Sequence, residues 1–271
     1  MHTAPESLNP TATAPATQAP APARLRCDRA LEVSTLPARA RAELGPALYD
    51  IFCDNYGALD YDTVADEIIF RAGGQLYLIR DANGALVGFG TLALDPVTVD
   101  GRACFVLQAG VYMRRGVRGG GAVFVRRGCA RLVRARLRHP LRPIYAVFEL
   151  LTPIPYRLAA RVFPQLYPSR RGPTPPRMER LLHHTIDRRG LRRAGAHPFV
   201  IQYPDPASHH APERITGSPS KRADPDVQFY LAQNPRFAEG QLLCAIAPLN
   251  LPQLVIAIAR CVRLILNRRR A

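Results

Sequence analysis

The sequence predicts an α+β fold: a mixed, mostly antiparallel twisted sheet flanked by helices, with a C-terminal hydrophobic helix. Three observations predict it. Two strand-like runs flank an Asn83-Gly84 pair, the turn chemistry of an antiparallel hairpin. A third run, 104–113, empties into a loop of arginine and glycine at 114–121 and then into a segment of helical period. A further apolar run at 144–151 and a second helical segment follow, so strands and helices alternate only beyond the loop.

Taken in order, residues 1–24 are low-complexity Ala, Pro and Thr without the apolar stretch of a signal peptide, and predict a disordered tail. Residues 41–56 carry Leu44, Leu48, Ile51 and Phe52 at helical spacing and stop at Gly57. Asp62 is expected to cap a short second helix through Val64, Ile68 and Ile69. The period then changes to that of strands, at 75–80 and 85–94, and Asp100-Gly101 reverses the chain into a strand at 102–113. Beyond the loop, 122–138 is an amphipathic helix. Val125, Cys129, Leu132, Val133 and Leu137 are expected on its buried face, and Arg127, Arg131, Arg134 and Arg138 in solvent. Pro140 and Pro143 precede the strand at 144–151, and Pro155 opens a helix that ends near Pro164. These elements, 25–168, form the predicted core. Residues 169–223 read as an irregular Arg/Pro-rich insertion, with helical character at 178–187 and strand character at 198–203. A helix at 226–233 and a strand at 241–247 close the domain within 224–248, and 249–271 is an amphipathic C-terminal helix.

With 271 residues, 47% of them hydrophobic, the chain can bury one large core or two small ones. Its 37 basic and 21 acidic residues leave a net charge of +16, which predicts an anionic partner. Lys221 is the sole lysine, so the arginines reflect coding background as well as function. The six cysteines lack metal-ligand spacing, and His183-His184 and His209-His210 lie in polar segments as expected solvated residues. No metal and a reducing, cytoplasmic setting are the expectations. Nucleic acid is disfavoured, because no binding module or aromatic-basic surface is recognisable.

The loop carries the chemistry. Gly119, Gly120 and Gly121 let main-chain amides approach a ligand, and the positive end of the following helix favours phosphate. Arg114, Arg115 and Arg118 add planar donors. No Gly-Lys-Ser/Thr follows, which excludes a Walker loop, and hairpin connections before the loop argue against a Rossmann unit.

This order of elements, with this loop, resembles the GCN5-related N-acetyltransferase (GNAT) superfamily over roughly 36–167. In that family the strand runs into an Arg-x-x-Gly-x-Gly/Ala loop; aligned on Arg115-Gly116, the later glycines here arrive one residue late. Aligned on Arg118, Gly121 fits but Val123 takes the last small position. The resemblance implies acetyl-CoA or a longer acyl-CoA as co-substrate, threaded where the strand before the loop splays from its neighbour. It implies cofactor-binding roles for Val111, Met113, Arg115, Val117, Arg118, Gly119, Gly120, Gly121 and Ala122. It implies acyl transfer to an amine or hydroxyl of a small-molecule acceptor, with Glu149 as candidate base. The family's acid tyrosine would fall near Ala159 or Ala160, and Tyr156, a turn earlier, is the candidate acid. The alternative is a catalytically inactive CoA-binding or membrane-associated scaffold or sensor.

The tail helix has its own signature. Residues 240–259 hold no charge, and from Leu251 onward Gln253, Arg260, Arg263 and Asn267 share one narrow stripe. Such a helix packs on the domain, joins a second subunit in a homodimer, or lies in the interface of an anionic membrane. Spanning is disfavoured, since Arg260 and Arg263 would sit inside the bilayer.

Overall fold

The computed structural model describes residues 25–56, 59–117, 120–202 and 222–270. Among these, nine strands form a single sheet. They are β1 (Arg26–Cys27), β2 (Leu31–Glu32), β3 (Gly74–Arg80), β4 (Leu86–Val99), β5 (Arg102–Met113), β6 (Ile144–Leu150), β7 (Arg192–Arg193), β8 (Val200–Gln202) and β9 (Gln241–Pro248). Their order is β1-β3-β4-β5-β6-β9-β8-β7, and β2 also pairs with β3. Every pairing is antiparallel except β5 with β6, which is parallel. This is the mixed, mostly antiparallel sheet that the sequence predicts.

The β3–β4 turn is held by Asp81, whose Oδ1 accepts the N–H groups of Asn83 and Ala85 at 2.9 Å, while Gly84 supplies a φ of 83°. β4 runs past residue 94, where the sequence pattern places its end, and through Pro96 to Val99. The reason is positional. Odd-numbered residues of β4 bond to β5, so the missing N–H of Pro96 faces the β3 side, and β3 has already ended opposite Ala93.

Helices cover both faces. They are α1 (Ala38–Tyr56), α2 (Tyr61–Val64, continuing into a π-turn at Ala65–Ile69), α3 (Gly120–Arg138), α4 (Pro153–Val162), α5 (Pro176–Arg188), α6 (Pro225–Gln233) and α7 (Leu251–Arg270). Asp60, not Asp62, caps α2, its Oδ2 accepting the Thr63 N–H at 2.9 Å. α1 and α2 bury Leu48, Ile51, Phe52 and Val64 against Leu76, Leu78 and Phe89. α3 lies on the opposite face, packing Phe124 and Ala135 against Tyr77, Leu92, Phe105 and Leu107. Its orientation differs from the sequence expectation: Arg127 and Arg131 are half-buried, whereas Val133 and Leu137 are exposed. The short strands β1 and β2, invisible to periodicity, explain the rotation. Cys27 O accepts from Arg127 Nη2 at 3.4 Å, and Glu32 lies 3.8 Å from Arg131.

Within 169–202 the chain is more regular than the expected insertion. α5 buries Met178, Leu181, Leu182 and Ile186 in one core with Phe199, Val200 and Ile201, and β8 extends the sheet beyond β9. The apolar residues of α5 recur on one side of the helix, and that spacing outweighs the arginine-rich composition. Residues 203–221 lie outside the described residues.

His197 precedes β8, half-buried, and its Nδ1 accepts the Phe199 N–H at 3.2 Å. Burial holds its pKa below the ordinary 6.5. Below pH 6.5 the unfolded chain therefore binds a proton that the folded chain refuses, so stability falls as pH drops through that window and levels off below the folded-state pKa. Denaturant melts between about pH 5 and 7 should show this slope, reduced in His197→Gln.

Candidate functional site

The parallel β5–β6 ladder is short. It pairs Phe105 with Ile144 and ends with Gln108 against Val147. Beyond that point β6 pairs only with β9, through Phe148, Glu149 and Leu150, while β5 continues beside β4 to Met113. The two strands part, and a gap opens in the middle of the sheet.

The main chain of β5 faces this gap at alternate residues. Arg114 N–H donates to Val87 O at 2.9 Å, so even-numbered residues of β5 bond to β4. The main-chain groups of Ala109, Val111 and Met113 therefore point toward β6. Phe105 N–H, on the same edge, donates to Pro143 O at 2.8 Å, as the parity requires. The gap thus presents the main-chain groups of Ala109 and Val111 at the spacing of a strand, able to bond an extended amide-bearing chain.

At the end of β5 the chain makes a tight turn. Val117 N–H donates to Arg114 O at 3.1 Å, and Gly116 takes a φ of 84°. The Val117 amide is thus spent inside the turn, a correction to its expected role on phosphate. Arg115 is exposed, but its Nε donates to Asp54 O at 2.8 Å near the end of α1. Arg114 lies 3.5 Å from the Asp54 carboxylate. These two arginines tie the turn to α1. Arg118 and Gly119 lie outside the described residues. Gly120, Gly121 and Ala122 form the first turn of α3, where amide groups have no intrahelical acceptor. The helix start is fixed by Phe124, which stacks edge-on with Tyr77 at 5.4 Å and lies over Gly90.

On the sheet face that carries α1 and α5, a small cavity with room for about one water lies at the head of the gap. Arg71, Asp95, Gln108, His184, Arg188 and Arg189 supply its polar walls. Arg71 donates to Asp95 Oδ2 at 2.6 Å and to the Gln108 side chain. Burial holds Arg71 below the usual arginine range against the pull of Asp95, and the Arg189 and Arg188 guanidiniums push the same way as burial. Glu149, expected as the base, is in an ion pair with Arg189, both side chains less than one-fifth exposed. His184, expected in solvent, is half-buried in the cavity wall on α5. Sequence reasoning missed it because the polar, arginine-rich composition of its segment reads as solvated, even with helical character at 178–187. The apolar period of α5 was the available signal.

Tyr156 does not reach this site. It is fully buried on α4, its hydroxyl donates to Pro168 O at 2.9 Å, and its ring stacks on Phe229 at 5.7 Å. Burial, and then the nearby Asp226 carboxylate, push its hydroxyl pKa well above the ordinary tyrosine value. A phenol so placed is a packing residue and not a proton donor to a ligand. Ala159 and Ala160, at the family's acid position, are buried as well.

No family model matches the chain, and no curated protein matches it. Solved structures are similar to parts of it. A GCN5-related glucosamine N-acetyltransferase region of a fungal multi-domain β-N-acetylglucosaminidase shares 20% identity over 46% of this chain and 14% of that one, with a TM-score of 0.30. A probable N-acyltransferase of Enterococcus faecalis V583, a conserved protein of unknown function, shares 12% over 52% and 33%, with a TM-score of 0.36. Escherichia coli ElaA shares 16% over 46% and 79%, with a TM-score of 0.31. This chain spans about a seventh of the first of these proteins and a third of the second. All three are remote likenesses, and the fold assignment rests on strand order, register and the gap. The class so defined is an α+β protein whose mixed, mostly antiparallel sheet parts between β5 and β6.

Proposed function

We propose that the chain is an acyl-CoA-dependent acyltransferase. The observation that carries this reading is the parting of β5 from β6 beside the first turn of a 19-residue helix. The pantetheine arm would lie along the β5 edge at Val111 and Met113, and the pyrophosphate would sit at the amides of Gly120, Gly121 and Ala122. The acceptor would approach from the face of α1 and α5, toward the polar cavity at Gln108. There the acceptor nitrogen or oxygen attacks the thioester carbon, the new bond forms as the C–S bond breaks, and His184 takes the acceptor's proton. The leaving thiolate is protonated by solvent.

Calorimetry with acetyl-CoA and longer acyl-CoA tests this directly. Gly120→Asp places a carboxylate at the proposed pyrophosphate position, where it suits a helix N-terminus but repels phosphate. The expected result is a fold left intact and affinity lowered by about tenfold or more. Equal affinity in both proteins, or none in either, overturns the proposal. The burial of Tyr156 favours a second reading, CoA binding without turnover. Release of free thiol across a panel of amines and alcohols separates the two.

A further inference from the structure

α7 is amphipathic twice over. Leu254 and Ala257 are buried, and Cys261 and Leu264 continue that line half-buried, where the helix packs on α3 and α4. On another side Leu251, Val255, Val262 and Leu266 recur at i, i+4, i+11 and i+15, which sets them in one row along the helix. All four are exposed, Val255 at 63%. Arg260 and Arg263 are exposed on a third side. The neighbouring α3 ends in the same manner: Val133 and Leu137 are exposed beside Arg134 and Arg138, and Leu141 follows at 94%.

A helix that has met its packing needs on one side gains nothing in water from a second apolar row. Among the described residues no helix is long and apolar enough to cross a membrane, so the row is not one side of a span. Its occupant must accept both aliphatic side chains and guanidinium groups. In a two-fold pairing of identical chains, each copy would bring its arginines to the same contact, and the net charge of +16 would oppose the approach. An anionic lipid surface satisfies both demands: acyl chains for the valines and leucines, and phosphates for arginines that snorkel to the headgroups.

We infer that α7 docks the protein on anionic lipid, lying in the interface plane with Val255 and Val262 inserted. This is independent of the acyl-transfer proposal and extends beyond it. The full chain should float with phosphatidylcholine vesicles that contain phosphatidylglycerol and stay behind with phosphatidylcholine alone. Val255→Glu with Val262→Glu should abolish flotation while leaving the melting temperature unchanged, because both side chains are exposed. Arg260→Ala with Arg263→Ala should weaken partitioning roughly thirtyfold, and added salt should do likewise. A chain that fails to float, or that floats as well on neutral vesicles, overturns the inference. So does a dimer in solution that the two glutamates dissociate, since the row would then belong to a second copy.

Discussion

Placing valine at Gly90 should lower the unfolding free energy by about 3 kcal/mol and take CoA affinity with it. Gly90 lies in the middle of β4, between Tyr77 on β3 and Val111 on β5. A Cβ there would meet two ring carbons of Phe124 at 2.3 and 2.5 Å. Phe124 is buried and fixed edge-on to Tyr77, so its ring cannot swing clear. The helix must lift, and Phe124 sits only one turn inside α3, so the lift displaces the amides proposed to hold pyrophosphate. Gly128, on the same helix, makes the control. A Cβ there would meet Leu92 Cδ1 at an ordinary 3.5 Å, so Gly128→Ala should stabilise by about 0.5–1 kcal/mol with affinity unchanged. Urea unfolding at constant m and CoA calorimetry read both. If Gly90→Val keeps wild-type stability, the fixed seat of α3 is wrong.

Loss of the His184 imidazole should lower kcat about a hundredfold while leaving acyl-CoA affinity unchanged. His184 shares the cavity wall with Gln108, the last residue of β5 that β6 holds, so it stands where the acceptor would meet the thioester. Glu149→Gln should act differently. The Glu149 carboxylate is paired with a largely buried Arg189, and its neutralisation should cost about 2 kcal/mol of stability while kcat changes only a few-fold. The two variants therefore separate proton transfer from charge pairing. A kcat unchanged in His184→Ala removes His184 from the reaction.

The strands were legible where local chemistry decides them. Asn83-Gly84 announces the hairpin, and β5 begins and ends where its alternation does, at Arg102 and Met113. What escaped was set by distant partners. β1 and β2 are two residues each, too short for periodicity, yet they turn α3 by offering acceptors to Arg127 and Arg131. The sequence pattern stops β4 at residue 94, because nothing local says that β3 has already ended opposite Ala93 and leaves room for Pro96. At the site, the glycine loop and the parting strand could be anticipated from their order. The engagement of Val117, Arg115 and Glu149 could not, since each is settled by a partner reached only after folding. Tyr156 shows the same limit: its residue type fits an acid, but Phe229 and Pro168 enclose it.

The shortness of the β5–β6 ladder has a mechanical consequence. It divides the sheet into two panels, one built on β3, β4 and β5 with the core under α1, the other on β6, β8 and β9 with the core around α5. The ladder that closes at Gln108 and Val147, the packing beneath α3, and Val97, Cys104 and Val106, which reach into the α5 core, join them. Amide hydrogen exchange should then resolve two protected units with distinct opening free energies, where a continuous ladder would give one. A ligand bonded along the open edge of β5 and seated against β6 would act as the missing rungs. Its binding should merge the two exchange regimes and slow the weaker panel most.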